Sequence, residues 1–205
     1  MAPLTPADAE TFSRCMSVEG VAVFPADTVY GLACEPESKE GVRRLYALKR
    51  RDRDQPAAVM FFQPSLALAA LPELGSRTRE AMLALLPGPV TLLLPNPAGR
   101  YPLACGSRPD VLGLRVPALP PELAALEAVR WPVLQSSANP AGAPAPRRLA
   151  DLDRGIGEAV DLVLDGGELP GVSSTIVDLT AYEEAGVWTI ARAGAFSADA
   201  VAAVL

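Results

Sequence analysis

Asp27 and Thr28 interrupt a stretch that otherwise suits a buried strand. Val21 to Leu32 reads "VAVFPADTVYGL", an apolar run broken after Pro25 by a carboxylate and a hydroxyl and resumed at Val29. The pattern recurs. Lys49 and Arg51 close a segment with apolar residues at helical spacing, and Arg115 ends "LGLR". Ser136, Ser137 and Asn139 follow Val133-Leu134, and Ser173, Ser174 and Thr175 open another apolar stretch. Taken singly, each has a structural explanation. Asp27-Thr28 can cap a turn, Ser137 and Asn139 before Pro140 suit a loop, and Arg115 can pair with a surface acid. Ser174-Thr175 can simply start a strand, and cations at a helix C-terminus suit the macrodipole. Together they occupy one class of position, the ends of apolar elements, which is where ligands collect in α/β sheets.

The chain has no histidine. That excludes Ser-His-Asp and Cys-His triads and the usual His-bearing zinc sites. Lys, Arg, carboxylates, hydroxyls and backbone groups remain. They suit chemistry done by positioning and charge stabilisation, phosphoryl or nucleotidyl transfer above all. Arg51 offers a planar fork of donors and Lys49 a compact charge, and two residues apart they can converge on phosphate oxygens. There is no GxxxxGK[ST] loop and no strand-linked GxGxxG, so a nucleotide would be held in another way.

Charge is unevenly spread. The formal net charge is −6, which argues against a broad nucleic-acid coat. Yet seven of the 18 Lys and Arg lie between Lys39 and Arg53, with Glu40, Asp52 and Asp54 the acids within or beside them. Such a local cationic feature suits a polyanionic ligand in a pocket. Cys15, Cys34 and Cys105 are odd in number and widely separated, giving neither zinc spacing nor a disulfide framework. No apolar run approaches the roughly 20 residues needed to cross a bilayer. "MAPLTPADAE" shows no secretory signal, so no membrane partner and a cytoplasmic location are expected.

With 50% hydrophobic residues the chain can bury a core, and one domain over 1–205 is expected. Thr11–Glu19 suits an opening helix and Val21–Phe24 a first strand. Ser38 can cap a helix with Val42, Leu45, Tyr46 and Leu48 on one face, fraying near Lys49-Arg50-Arg51. Strands are expected at Ala57–Phe62, Val90–Leu94, Leu112–Val116, Val133–Leu134, Leu162–Leu164, Thr175–Leu179 and Val187–Ala191. Helices are expected at Ser65–Leu71, Ser76–Leu86 and Pro120–Ala128. The alternation predicts an α/β fold around a twisted, mixed sheet.

In order along the chain, "FPADTVYGLACE", "LYALKRR", "LPGPVTLLL", "LGLRVP", "SSANPAG", "SSTIVDLT" and "ARAG" resemble the motifs of the YrdC/Sua5 family, the threonylcarbamoyl-AMP synthases. The resemblance implies a YrdC-like open twisted mixed sheet with flanking helices and a concave, positively charged face. It implies a reaction in which L-threonine, bicarbonate or carbon dioxide, and ATP give threonylcarbamoyl-AMP and pyrophosphate. Mg²⁺ would arrive with ATP, and the product would pass to a partner complex that modifies adenosine 37 of tRNA. It also assigns roles. Thr28, beside a Tyr30-Gly31 turn, would contact threonine, Arg115 would hold its carboxylate, and Ser174 would complete that pocket. Lys49 and Arg51 would face the ATP phosphates and stabilise the leaving pyrophosphate, with Gln55 nearby. Ser137 and Asn139 would lie on the nucleotide side, and Arg192 would be a further ATP contact.

This chain departs from the family pattern at Ala26, Asp52, Met60 and Ala145, each where a different residue is usual, and Gln135 is an unusual neighbour of the Ser-Ala-Asn stretch. Asp52 would add a negative charge beside the phosphate site. A chain ending at Leu205 resembles the single-domain YrdC type. The alternative from another class is a non-catalytic, YciO-type RNA-binding module of the same fold. The net charge and the absence of a basic, aromatic-interleaved stripe weigh against it.

Overall fold

The computed structural model describes residues 3–205. Helix α1 spans Pro6–Ser17, starting before the expected Thr11 because Thr5 and Asp8 form a capping box and Pro6 occupies the first turn. Strands β1 (Ala22–Pro25) and β2 (Tyr30–Cys34) form an antiparallel hairpin, with Phe24 opposite Gly31 and Pro25 opposite Tyr30. Tyr30-Gly31 is therefore strand rather than turn. The reversal falls on residues 26–29, where Asp27 and Thr28 lie.

Helix α2 (Lys39–Lys49) begins at Ser38, whose hydroxyl accepts from the Gly41 amide at 2.9 Å. It does not fray: Arg50 takes a left-handed conformation, φ 49°, and ends it sharply. Strand β3 (Ala58–Met60), helices α3 (Pro64–Ala70) and α4 (Ser76–Leu85), and strands β4 (Val90–Pro95) and β5 (Val111–Arg115) follow. The expected helix over Pro120–Ala128 is a 3-10 helix, Pro121–Ala128. Strand β6 (Val133–Ser137) runs through the polar Gln135-Ser136-Ser137, because β2 supplies backbone partners along its length. Helix α5 (Arg154–Ala159) escaped the sequence pattern, its "RGIGEA" holding two glycines and one core residue, Ile156. The chain closes with β7 (Leu162–Val163), β8 (Thr175–Asp178), the short α6 (Tyr182–Ala185), β9 (Thr189–Arg192) and α7 (Ala198–Ala202).

The strands form one mixed nine-stranded sheet in the order β7-β1-β2-β6-β3-β5-β4-β8-β9. Alternation along the strands gives its two faces different fates. Leu134, Val59, Leu114, Leu92 and Val177 lie in register across five strands, all at 0% exposure. Their face is sealed by Val42, Leu45 and Tyr46 of α2, Ala67 of α3, and Ala81, Met82 and Leu85 of α4. The opposite face is covered only in part. There Ala9, Phe12 and Met16 of α1 and Leu126 of the 3-10 helix pack on Phe24, Ala33, Met60, Phe62 and Val133. The uncovered remainder of this face, centred on β3, β5, β4 and β6, carries the polar residues singled out above.

Phe12 anchors the covering, with its ring centroid 5.2 Å from that of Phe24 and 5.8 Å from that of Phe62. Phe12→Ala is expected to destabilise the fold by about 3–5 kcal/mol, the range for a fully buried aromatic truncated in a core. A denaturant titration should show the midpoint falling with the slope unchanged. A loss below about 0.5 kcal/mol would mean that α1 is peripheral to the fold.

Candidate functional site

A cavity of about 360 Å³ opens on the half-covered face. Its floor is mainly strand residues of one parity: Ala58 on β3, Thr91 and Leu93 on β4, Val111, Gly113 and Arg115 on β5, and Gln135 and Ser137 on β6, with Ser136 the exception. Loops and the end of β9 supply the walls, with Arg51, Gln55 and Pro56 on one side, Asn139 and Gly142 on another, and Ser173, Ser174 and Arg192 on a third. Lys49, Arg51, Arg108, Arg115 and Arg192 all line the cavity, and no Asp or Glu does.

Arg115 ends β5 at 3% exposure. Its guanidinium pairs with the Asp27 carboxylate and donates to Thr28 Oγ1 at 2.6 Å, while the other Asp27 oxygen accepts from the Ala118 amide at 3.0 Å. Burial pushes Asp27 upward and Arg115 downward, and their mutual attraction opposes both shifts. Asp27 therefore fixes both the arginine and the segment after β5. Thr28 is 1% exposed and stands behind Arg115, off the cavity wall, so in this arrangement it reaches the cavity through the guanidinium. Ser174 is pinned from two sides. Its hydroxyl meets Thr91 Oγ1 at 2.8 Å, and Arg192 donates to its carbonyl at 2.7 Å.

The end nearer α2 is built differently. Lys49 is buried at 3% exposure, rather than displayed at a frayed terminus. Its ammonium donates to the carbonyls of Ser137 and, at 2.8 Å, Asn139. Burial, with the Arg51 charge adding to it, brings its pKa down to about 8. Arg51 bonds Gln55 Oε1 at 3.0 Å and Ser136 Oγ at 3.1 Å, and its guanidinium carbon lies 5.9 Å from the centre of the Tyr46 ring. Arg192 is lowered by burial and then by Arg115 and Arg51, so these cations already repel one another across the cavity. The Asn139 amide donates to the carbonyls of Pro140 and Ala143, at 2.9 and 2.6 Å.

The structure thus brings Lys49, Arg51, Gln55, Arg115, Ser137, Asn139, Ser174 and Arg192 to one cavity, with Thr28 one step behind it. Sequence reasoning missed Arg108, which reaches the cavity from the turn between Cys105 and Val111. It also missed Thr91. The alternation of Thr91 with core Leu92 in "PVTLLL" was the available signal. Of the departures, Gln135 lines the cavity and the other four do not. Asp52 is exposed, accepts from the Asp54 amide at 3.0 Å and does not line the cavity. Met60 lies in the apolar packing under α1, and Ala26 is fully buried. Ala145 is absent from the lining.

A Sua5/YciO/YrdC family model, described as "Telomere recombination", matches residues 14–194. A threonylcarbamoyl-AMP synthase of Hahella chejuensis is 34% identical over 158 residues, covering 77% of this chain and 85% of the relative. One of Xanthomonas campestris pv. campestris is 36% identical over 169 residues, covering 80% and 88%. Among solved structures, a variant of P. abyssi Sua5 superposes with a TM-score of 0.85 at 26% identity, over 98% of this chain and 61% of that one. The chain thus spans under two thirds of that longer protein. P. abyssi Sua5 complexed with L-threonine gives a TM-score of 0.83 at 24% identity, covering 98% and 58%.

Asp27→Ala would leave Arg115 charged, buried and without its counter-ion. A loss of about 3–5 kcal/mol is expected, as for other broken buried pairs. Arg115→Met in the same chain should recover a large part of it. Chemical denaturation of the single and double variants measures both, and a double variant no more stable than Asp27→Ala would show that the pair is not what links these segments.

Proposed function

The chain belongs to the Sua5/YciO/YrdC family, and from that footing we propose that it is an L-threonylcarbamoyladenylate synthase, a nucleotidyltransferase acting in the cytoplasm on ATP, L-threonine and bicarbonate. The observation that carries this reading is the single cavity lined by five cations and no carboxylate, with hydroxyl and amide groups between them. A triphosphate and an amino-acid carboxylate are both anionic, and such a lining suits both.

The two ends divide the work. Arg115, held by Asp27 and Thr28, and Ser174, held by Thr91 and Arg192, would receive the threonine carboxylate and hydroxyl. A guanidinium recognises a carboxylate by paired, charge-assisted bonds. Thr28 is then a positioning residue. Lys49 and Arg51 would take the phosphates, with Gln55, Ser137, Asn139 and Arg192 around the nucleotide. The threonine amine combines with bicarbonate to give a carbamate, releasing water. A carbamate oxygen then forms a bond to the α-phosphorus of ATP as the bond to the pyrophosphate oxygen breaks. Charge grows on the leaving pyrophosphate, where Lys49 and Arg51 stabilise it. The carbamate is already an anion, so the step requires no histidine base. Enclosure in the cavity keeps that labile group from bulk water.

Magnesium would enter as part of the MgATP substrate. The described residues hold no cluster of three or more His, Cys, Asp or Glu side chains, and the cavity offers only neutral oxygens such as Ser136 and Gln135. Phosphates and water would therefore supply most of its ligands. Transfer of the product to a tRNA-modifying complex, and any contact with tRNA itself, belong to the same proposal. No described helix is long and apolar enough to cross a membrane.

Purified protein given ATP, L-threonine and bicarbonate should release pyrophosphate and form threonylcarbamoyl-AMP. Arg51→Ala should slow this by about 10²–10³-fold, the effect of removing one donor to a developing anion. Absence of both products, with structured RNA still bound, would replace the enzyme reading with that of an RNA-binding module. The Lys49 pKa adds a signed test. A lysine lowered to about 8 loses its charge on that pH scale rather than near 10.5, and a bound phosphate favours the charged form. ATP binding at pH 8.5 should therefore take up protons, seen as a dependence of calorimetric heat on buffer ionisation enthalpy. Lys49→Arg should abolish the uptake.

A further inference from the structure

The sheet register places a second constraint on the cavity, and it falls on residues with almost no side chain. Val133, Met60 and Arg115 form one row across β6, β3 and β5. Gln135, Ala58, Gly113 and Leu93 form the next row on the same face. Val111 and Ser137 lie two residues further along their strands. The Gly113 row is therefore midway between the end marked by Arg115 and the end marked by Ser137. Four residues of strand separate those ends, about 13 Å at the usual rise per residue. All four members of the middle row line the cavity.

The φ angle does not demand glycine at 113, which is not among the positive-φ positions. A Cβ built there would meet Ala57 O at 3.3 Å, Ala58 Cα at 3.4 Å and Ala58 Cβ at 3.6 Å. The first is tighter than an ordinary van der Waals contact, so a side chain here needs the Ala57 carbonyl to give by a few tenths of an ångström, while the contact with Ala58 Cβ is ordinary. Central strands favour β-branched side chains, and glycine in a strand interior weakens it. Two physical reasons for such a glycine are the close approach of another backbone, which Ala57 supplies on one side, and that of a ligand, which the open cavity side admits. Here the approach would be to the middle of a substrate cavity, over a floor whose other central residue is alanine.

We infer that Gly113, with Ala58, forms the seam at which the two substrates meet. The bare floor lets the amino-acid ligand held at Arg115 and the nucleotide held near Lys49 and Ser137 occupy the cavity together. The carbamate oxygen and the α-phosphorus can then approach to about 3–3.5 Å, the separation of a reactive pair. A side chain rising from position 113 or 58 enters that gap. Each ligand retains its own end, and joint occupancy is lost. Gly113 and Ala58 are in this sense positioning residues, and they act by leaving space. The inference rests on the reaction proposed above.

The test is competition between the two ligands, which does not depend on turnover. The probes are L-threonine and α,β-methylene-ATP, titrated alone and together into the wild-type protein, Gly113→Val and Ala58→Val. Wild type should bind the nucleotide equally well with and without threonine. In either variant each ligand should bind alone within about threefold of wild type. Threonine at ten times its dissociation constant should then raise the apparent nucleotide Kd about 11-fold, as mutual exclusion requires. Product formation from ATP should fall by about 10²-fold or more, as for a small misplacement of reacting groups. Circular dichroism and melting temperature identify a misfolded variant, and Ala58→Val, which only extends an existing side chain, carries the test if Gly113→Val does not fold. If wild type binds both ligands and both variants bind them without competition and react at the wild-type rate, the seam is overturned and the proposed function stands. If wild type binds neither ligand, the proposed function fails and the seam falls with it.

Discussion

The ion pair between Arg115 and Asp27 joins two parts of the chain that the sheet order keeps apart. Arg115 ends β5, Asp27 lies in the β1–β2 reversal, and β6 and β3 stand between β5 and that hairpin. Two charges taken out of water are stable together only with good geometry and satisfied remaining atoms. Asp27 meets that condition through the Ala118 amide, and Arg115 meets it only in part, donating to the Thr28 hydroxyl while its buried Nε has no partner among the described residues. The pair leaves the cavity a guanidinium whose counter-charge lies behind the wall. An arginine balanced from the cavity side would be partly neutralised where a ligand must bind.

The remaining cations have no such balance within the cavity. Arg192 is disfavoured by Arg115 and Arg51, and Lys49 by Arg51. Repulsion of this kind works against the unliganded fold and is relieved by an anionic ligand, so part of the binding energy is set by the protein before the ligand arrives. The sealed face of the sheet, with its row of fully buried Leu and Val residues, supplies the stability that lets the other face carry this repulsion.

Much of this was legible in the sequence, for identifiable reasons. Polar residues at the ends of apolar runs gave most of the cavity, because a strand end is where backbone pairing stops and side chains are free to face a ligand. The strands of the core were legible from their apolar character. What escaped depended on contacts between distant segments. Tyr30-Gly31 looked like a turn because glycine often marks one, yet its strand is set by pairing with β1 and β6. Lys49 looked like a surface charge at a helix end. Only the fold shows it turned inward onto the carbonyls of residues far along the chain. Arg108 carried no periodic signal, since a turn brings it to the rim. The α5 helix was hidden by its glycines.

The inward-turned Lys49 means that one side chain serves as both charge and scaffold. Its ammonium gathers the carbonyls of Ser137 and Asn139, and its own carbonyl accepts from the Ala141 amide at 2.7 Å. The loop after β6 is thus stitched to the end of α2 through a single residue, in both directions. Replacing that lysine removes a charge and also unties the loop. The two losses come together: a neutral residue at position 49 takes away the charge and loosens the wall that surrounds it.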